Sequence, residues 1–247
     1  TILTPGMLEV LGRNFSRNIE SVRAYEIGKT FRKNLIDPKG LPDASYDLTI
    51  GCYGENEDFY SLKGMVCTLL DRLGIRELKF VAESEYGVYH PGRCARVVTS
   101  DTNGQEVELG IMGEVQPDVA ENFGIDTRAY CCELFFDLID ELSDREVQYH
   151  QPPKYPSTSR DMALIVDEDL EIGEIEAQVN AMGIGILRDI KLFDVYRGEQ
   201  VEQGKKSVAF SLTYRDDEKT LTDEETDEAH NSVVEMLKEK FGATLRD

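Results

Sequence analysis

The sequence predicts an α+β chain of two units: one dominated by an antiparallel sheet, then one with the order βαββαβ. Three observations carry this. A Pro-rich stretch without apolar runs interrupts the 247 residues at positions 143–159. Before it, short apolar runs that read as strands outnumber helical patterns, and one pair of them brackets a hairpin signal. After it, strand and helix patterns follow one another in a single clean order.

The break reads SDREVQYHQPPKYPSTS and holds Pro152, Pro153 and Pro156. Proline removes a backbone donor and disfavours helix in the residue before it. The stretch is therefore read as an interdomain linker, giving expected domains at residues 1–147 and 148–247.

In the first unit, residues 7–15 read as a short helix, and residues 21–31 and 46–53 as strands. Residues 61–73 form the strongest helical pattern. Leu62, Met65, Val66, Leu69, Leu70 and Leu73 recur at helical spacing, and Gly74 suits the stop. Strands are expected at 78–82, 93–99, 107–112 and 130–137, with Asp101-Thr102-Asn103-Gly104 as the turn between the second and third of these. Hairpins of this kind imply an antiparallel sheet.

In the second unit, strands are expected at 160–166, 186–196, 206–215 and 243–246, and helices at 172–182 and 222–241. Ile172, Ile175, Val179 and Met182 share one face of the first helix, with Gly183 behind it. The second helix opens with Thr222-x-x-Glu225, a capping box. Its first turn carries Asp223, Glu224 and Glu225, which suit the positive end of the helix dipole. The order is the ferredoxin-like split βαβ, with two helices on one sheet face and the other face open. In the 206–215 strand, Val208, Phe210, Leu212 and Tyr214 share the face expected under the helices. Ser207, Ala209, Ser211, Thr213 and Arg215 share the other. That small, polar face suits a ligand or simply solvent. Its lack of aromatics makes a poor match to RNA platforms that stack bases on the middle strands.

Composition narrows the function. The net charge is −21, with 27 Lys+Arg against 48 Asp+Glu. Both parts share it: 15 basic against 26 acidic residues up to Val147, and 12 against 22 beyond. A generic nucleic-acid binder, which releases counterions with a basic surface, is excluded. The 40% hydrophobic content excludes an acidic disordered chain. No run of about 18 apolar residues marks a membrane span, and the N-terminus lacks a signal-peptide pattern. The chain is expected to be cytoplasmic and, lacking a starting Met, part of a longer one. Cys52, Cys67, Cys94, Cys131 and Cys132 are odd in number and form no CxxC pair, so reduced, buried thiols are expected. Cys131 and Cys132 would face opposite sides of a strand. Gly110-x-x-Gly113 is too short for a dinucleotide fingerprint, and no Walker A pattern exists. His90, His150 and His230 show no ligand spacing.

More specific signals run from Lys154 to Leu245: K-Y-P…R-D-M-A, F-D-V-Y-R-G, G-K-K-S-V-A-F-S-L-T-Y-R and T-L-T-D-E-E. Together they resemble the ferredoxin-fold anticodon-binding domain at the C-terminus of bacterial phenylalanyl-tRNA synthetase β subunits. The first unit resembles the catalytic-like module before it. There the resemblance rests on Thr4-Pro5-Gly6-Met7-Leu8 with Arg13-Asn14, Tyr25-Glu26-Ile27-Gly28, His90-Pro91-Gly92-Arg93, and residues 109–117, LGIMGEVQP. The resemblance implies a class II synthetase-like antiparallel-sheet module that forms no adenylate. It also implies an α-subunit partner in an (αβ)2 assembly, tRNA(Phe) as a further partner, and ATP with Mg2+ used by the whole enzyme. No cofactor is assigned to this chain, and no catalytic or metal-binding residue. Arg23, Arg93 and Arg96 are the candidates for a synthetase-like arginine set, but no full class II set is recognisable, and solvated or subunit-interface roles suit Arg93 and Arg96 better.

For tRNA the open face and its edges supply the candidates: Ser211, Thr213 and Arg215 by alternation, Arg160 at the first strand, Lys191 and Arg197 around the second, and the adjacent pair Lys205 and Lys206. Cations near phosphates give affinity, and hydroxyls at unstacked bases give selectivity. Each is equally consistent with solvated charge, and Arg160 and Arg215 with ion pairs inside an acidic unit. The alternative is a free-standing ferredoxin-like module that binds a small ligand beside a structural partner domain. Association with the α subunit separates the two readings.

Overall fold

A computed structural model of the chain describes residues 1–33, 40–101, 103–144, 149, 151–198 and 201–246. His150, Thr102 of the expected turn, and the expected boundary after Val147 lie outside these residues. The chain divides into two compact units, Thr1–Gln148 and Tyr149–Asp247. Both are mixed α+β with wholly antiparallel sheets. No helix among the described residues is long and apolar enough to cross a membrane.

The first unit begins with α1 (Thr4–Phe15), one turn earlier than its apolar pattern, because Pro5 fits the first turn. The buried Glu133 carboxylate accepts the Leu3 and Thr4 amides at 3.1 and 3.0 Å and fixes that helix start. The strands are β1 (Val22–Arg32), β2 (Asp43–Tyr53), β3 (Lys79–Ala82), β4 (Tyr89–Ser100), β5 (Glu106–Val115) and β6 (Ala129–Phe135). They form one sheet in the order β1-β2-β6-β5-β4-β3. The β4–β5 turn closes as expected: Asp101 Oδ1 accepts the Asn103 and Gln105 amides, both at 2.8 Å, and Gly104 takes φ +77°.

Helix α2 (Phe59–Arg72) starts on an Asp58/Ser61 capping box and stops at Gly74, φ +82°. Two short helices, α3 (Pro117–Asn122) and α4 (Phe136–Leu142), were not expected. The strand expected to run to 137 ends at Phe135, and α4 follows it. Helices α2 and α4 cover one sheet face over Leu48, Val97, Met112 and Cys132. Helices α1 and α3 cover the other over Tyr53, Ile111, Val115 and Cys131. The vicinal cysteines thus do point to opposite cores. Burial pushes the Cys132 thiol up to about 12 and holds Cys131 well above its ordinary range, so both are neutral and unreactive.

The second unit has β7 (Thr158–Asp167), α5 (Ile172–Ala181), β8 (Leu187–Tyr196), β9 (Lys205–Tyr214), α6 (Asp223–Phe241) and β10 (Thr244–Leu245). The sheet order is β10-β7-β9-β8, the ferredoxin-like arrangement. The α6 capping box between Thr222 and Glu225 is present in both directions, and Gly242 ends the helix at φ +61°. Met162, Leu164, Val166, Val208, Phe210, Leu212 and Tyr214 form the core with Ile175 and Val179 of α5 and Val233 and Leu237 of α6. Among the described residues, no helix of this unit covers the opposite sheet face.

Candidate nucleic-acid interface

Strand register defines the open face, because residues paired across antiparallel strands share a side. Asp161, Ser211 and Lys191 form one row across β7, β9 and β8. Ser159, Thr213 and Asp189 form the next. Ala163, Ala209 and Asp194 follow. The last long row is Thr244, Ile165, Ser207 and Tyr196. Lys205 closes the face beside Asp167.

Several of the expected residues therefore come together here. Ser211 and Thr213 sit mid-sheet and half-buried, with the exposed Lys191 beside Ser211. No ion pair holds Lys191 among the described residues. Lys205 lies 3.6 Å from Glu202. Arg197 follows β8, and its Nε donates to Glu168 at 2.6 Å. Arg215 follows β9 and lies 3.4 Å from Asp217, which Arg188 also holds at 2.7 Å.

Two of the expected residues lie on the other side of the sheet. Arg160 is opposite Leu212, a core residue, and so points to the helix-covered side. Its Nε and Nη2 donate to Asp227 and Asp223 of α6, each at 2.8 Å. Lys206 is opposite Val166, is buried, and donates to the Glu168 carbonyl at 2.7 Å. Both follow the parity of Val208 and Leu212, which places them away from the open face.

Two residues not singled out from sequence are part of the face. Tyr196 is paired with Ser207. The guanidinium of Arg246 lies 5.0 Å from the Tyr196 ring centroid, and its Nη1 lies 3.3 Å from Ser207 Oγ. This is a cation–π stack laid across the sheet. Plain alternation from Lys191 sends Tyr196 to the core. A register shift between Leu192 and Asp194 reverses that parity and brings Tyr196 out. The open face thus has an aromatic ring after all, contributed by β8 rather than β9.

In the first unit, the three arginines expected as candidates for a synthetase-like set are each paired with a carboxylate. Arg23 donates to Glu57 at 2.8 Å, Arg93 to Glu114 at 2.6 Å, and Arg96 lies 3.6 and 3.3 Å from Glu83 and Glu108. Arg23 pairs across from Cys52 and Arg96 from Ile111, so the two lie on opposite faces of the sheet. This set does not fit a nucleoside triphosphate, which needs convergent cations. Among the described residues no group of three or more His, Cys, Asp or Glu is placed to hold a metal ion.

Two known families match the chain in separate stretches. The profile described as "Ferredoxin-fold anticodon binding domain" matches residues 153–246. The profile described as "Phenylalanyl tRNA synthetase beta chain CLM domain" matches residues 1–136, more than half of the chain. The chain belongs to the phenylalanyl-tRNA synthetase beta-chain family. It is 41% identical over 240 residues to the phenylalanine–tRNA ligase beta subunit of Clostridium acetobutylicum, covering 97% of this chain and 29% of that protein. It is 39% identical over 246 residues to the same subunit of Clostridium tetani, covering 100% of this chain and 30% of that protein. For Symbiobacterium thermophilum the figures are 35% over 257 residues, 100% and 28%. The chain spans less than a third of the length of these relatives.

Proposed function

We propose that this chain is the C-terminal part of a phenylalanine–tRNA ligase β subunit whose second unit contacts the anticodon region of tRNA(Phe) through its open sheet face. The observation that carries this is the open four-stranded face itself, with Lys191, Ser211, Thr213 and the Tyr196–Arg246 stack, inside the segment similar to an anticodon-binding domain. The Lys191 ammonium meets a phosphate as a point charge. The Ser211 and Thr213 hydroxyls read the edge of an unstacked base, and the Tyr196 ring offers a stacking surface. Asp161, Asp189 and Asp194 share the face and oppose a longer phosphate track, so the patch is local and its salt dependence shallow.

The first unit is a class II synthetase-like module without catalysis of its own. It supports an (αβ)2 assembly with the α subunit, which carries out aminoacylation with ATP and Mg2+ in the cytoplasm. Arg215 lies at the rim of the open face, paired with Asp217 at 3.4 Å. In the assembled enzyme, Arg215→Ala raises KM for tRNA several-fold and leaves ATP–pyrophosphate exchange intact. An equal loss in exchange overturns the assignment.

A further inference from the structure

The first unit carries a contact surface of its own, on an edge strand. Strand β1 pairs with β2 from Val22 to Arg32 without a register shift and has no strand on its other side. The backbone groups of an antiparallel strand point alternately toward and away from the partner strand. Phe31 shows which residues point away. Its carbonyl accepts from the Thr1 ammonium and its amide donates to the Thr1 hydroxyl, both at 2.7 Å. By the same parity Arg23, Tyr25, Ile27 and Lys29 turn their N–H and C=O groups outward. Among the described residues, no backbone hydrogen bond outside the β1–β2 ladder uses those groups.

The side chains of these four residues share the sheet face of Leu48 and Ile50. Tyr25 is 74% exposed and Ile27 46%. They line an apolar cavity of about 440 Å³ together with Leu48 and Ile50 of β2, Met65 and Leu69 of α2 and Phe136 of α4. An unpaired strand edge beside exposed apolar side chains is a template for another strand. Local charge selects the kind of strand. Within a chain of net charge −21, residues 22–33 carry Arg23, Lys29, Arg32 and Lys33 against Glu26 alone. Arg23 and Arg32 are paired with Glu57 and Asp47. The exposed Lys29 lies over the Tyr46 ring, 5.7 Å from its centroid, and no ion pair holds it among the described residues. A row of phosphates accepts hydrogen bonds and leaves the outward carbonyls unmatched, whereas an extended peptide matches donors and acceptors alike. A second copy of this chain sets one cationic stretch against another and adds its own acidic charge.

We infer that the outer edge of β1 docks an extended segment of a partner polypeptide as an added strand, with apolar side chains over Tyr25, Ile27 and the cavity and a carboxylate opposite Lys29. This edge lies in the first unit and does not depend on the tRNA contact proposed for the second. The test is a titration of the ¹⁵N-labelled chain with the peptide acetyl-Thr-Glu-Thr-Leu-Thr-Leu-Thr-amide, whose Glu and two Leu residues fall opposite Lys29, Ile27 and Tyr25 in an antiparallel pairing. The expected result is saturable shifts along β1 and slower hydrogen exchange at the Tyr25, Ile27 and Lys29 amides. The Ala24, Glu26 and Gly28 amides, bonded to β2, should already be protected in the free chain. The same peptide with Lys in place of Glu should bind about two- to fivefold more weakly, and N-methylation at both Leu residues should abolish binding. Ile27→Pro removes an outward N–H, which an edge strand tolerates, and should abolish binding. Lys29→Glu, at an exposed position, should reverse the preference between the Glu and Lys peptides and serves if the proline variant does not fold. No saturable shift, equal binding of the N-methylated peptide, unslowed exchange at Tyr25 and Ile27, or an unchanged preference in Lys29→Glu overturns the inference. So does a response of β1 to hexauridylate in place of the peptide, or self-association of the chain through β1 in sedimentation.

Discussion

The two sheets of this chain are built from the same antiparallel pairing but are finished differently. The central strands of the six-stranded sheet are covered by helices on both faces, and β6 is buried at every residue from Ala129 to Leu134, while edge strand β1 leaves Tyr25, Ile27 and Phe31 exposed. The four-stranded sheet is covered on one face, and β9 alternates core residues with Ser211 and Thr213. A sheet whose centre is sealed on both sides can support an assembly but offers a nucleic acid only its edge strands. A sheet with helices on one side only keeps part of its other face available for contact, here around Ser211 and Thr213 rather than the buried Ser207 and Ala209. The difference supports the proposed tRNA contact in the second unit without any appeal to overall charge, which is acidic in both.

This contrast can be broken most sharply at two adjacent residues of β9. Phe210→Ala empties the core under the helices and should cost about 3–5 kcal/mol in the urea unfolding of the second unit. Ser211→Ala, one residue along, should change stability by less than about 0.5 kcal/mol while weakening tRNA binding. Comparable stability losses at the two positions would mean that the face holding Ser211 is not open. In the first unit, adjacent residues should behave alike. Cys131→Ser and Cys132→Ser each place a hydroxyl in a sealed core and should each cost about 1–3 kcal/mol. Tolerance of either one in a denaturant melt would show that its face is not sealed.

The smallest effect concerns pH. His230 packs edge-on to Tyr214, with its Nδ1 3.3 Å from the phenol oxygen. Burial, aided by the charge of Arg160 and opposed by Asp227, lowers its pKa below the ordinary 6.5. The unfolded chain then binds more protons near that pH, so this contribution is full above about pH 6.5 and declines as pH falls toward the folded value. Urea midpoints of the second unit should drop slightly between about pH 7.5 and pH 6, and His230→Gln should flatten that slope. A slope unchanged by the substitution would assign the pH dependence to other groups.

Much of this architecture was legible in the sequence for local physical reasons. The apolar spacing of α2 and the Thr222/Glu225 box of α6 are complete within their own segments. The elements that were missed depend on less local information. Helix α4 follows β6 through Phe135-Phe136, and a short apolar run does not distinguish the end of a strand from the start of a helix. Strand β4 begins at Tyr89, before Pro91, and passes through a register shift between Tyr89 and Cys94 that no alternation pattern announces. The open face follows the same division. Ser211, Thr213 and Lys191 lie where simple alternation puts them, and Arg160 and Lys206 lie off the face because their strand parity matches the core residues. Tyr196 was hidden by the register shift in β8. Arg246 was hidden because its position depends on β10, two residues long, pairing beside β7.

The central claim is that the open face of the second unit is where the chain meets tRNA. Its most direct test is a titration of the ¹⁵N-labelled chain with an anticodon stem-loop of tRNA(Phe) at low salt, followed amide by amide. Weak, saturable binding is expected, with the largest shifts at Lys191, Tyr196, Ser211 and Thr213, and little change in α5, α6 or the six-stranded sheet. Shifts concentrated on the helices or in the first unit, or none at all, would contradict it.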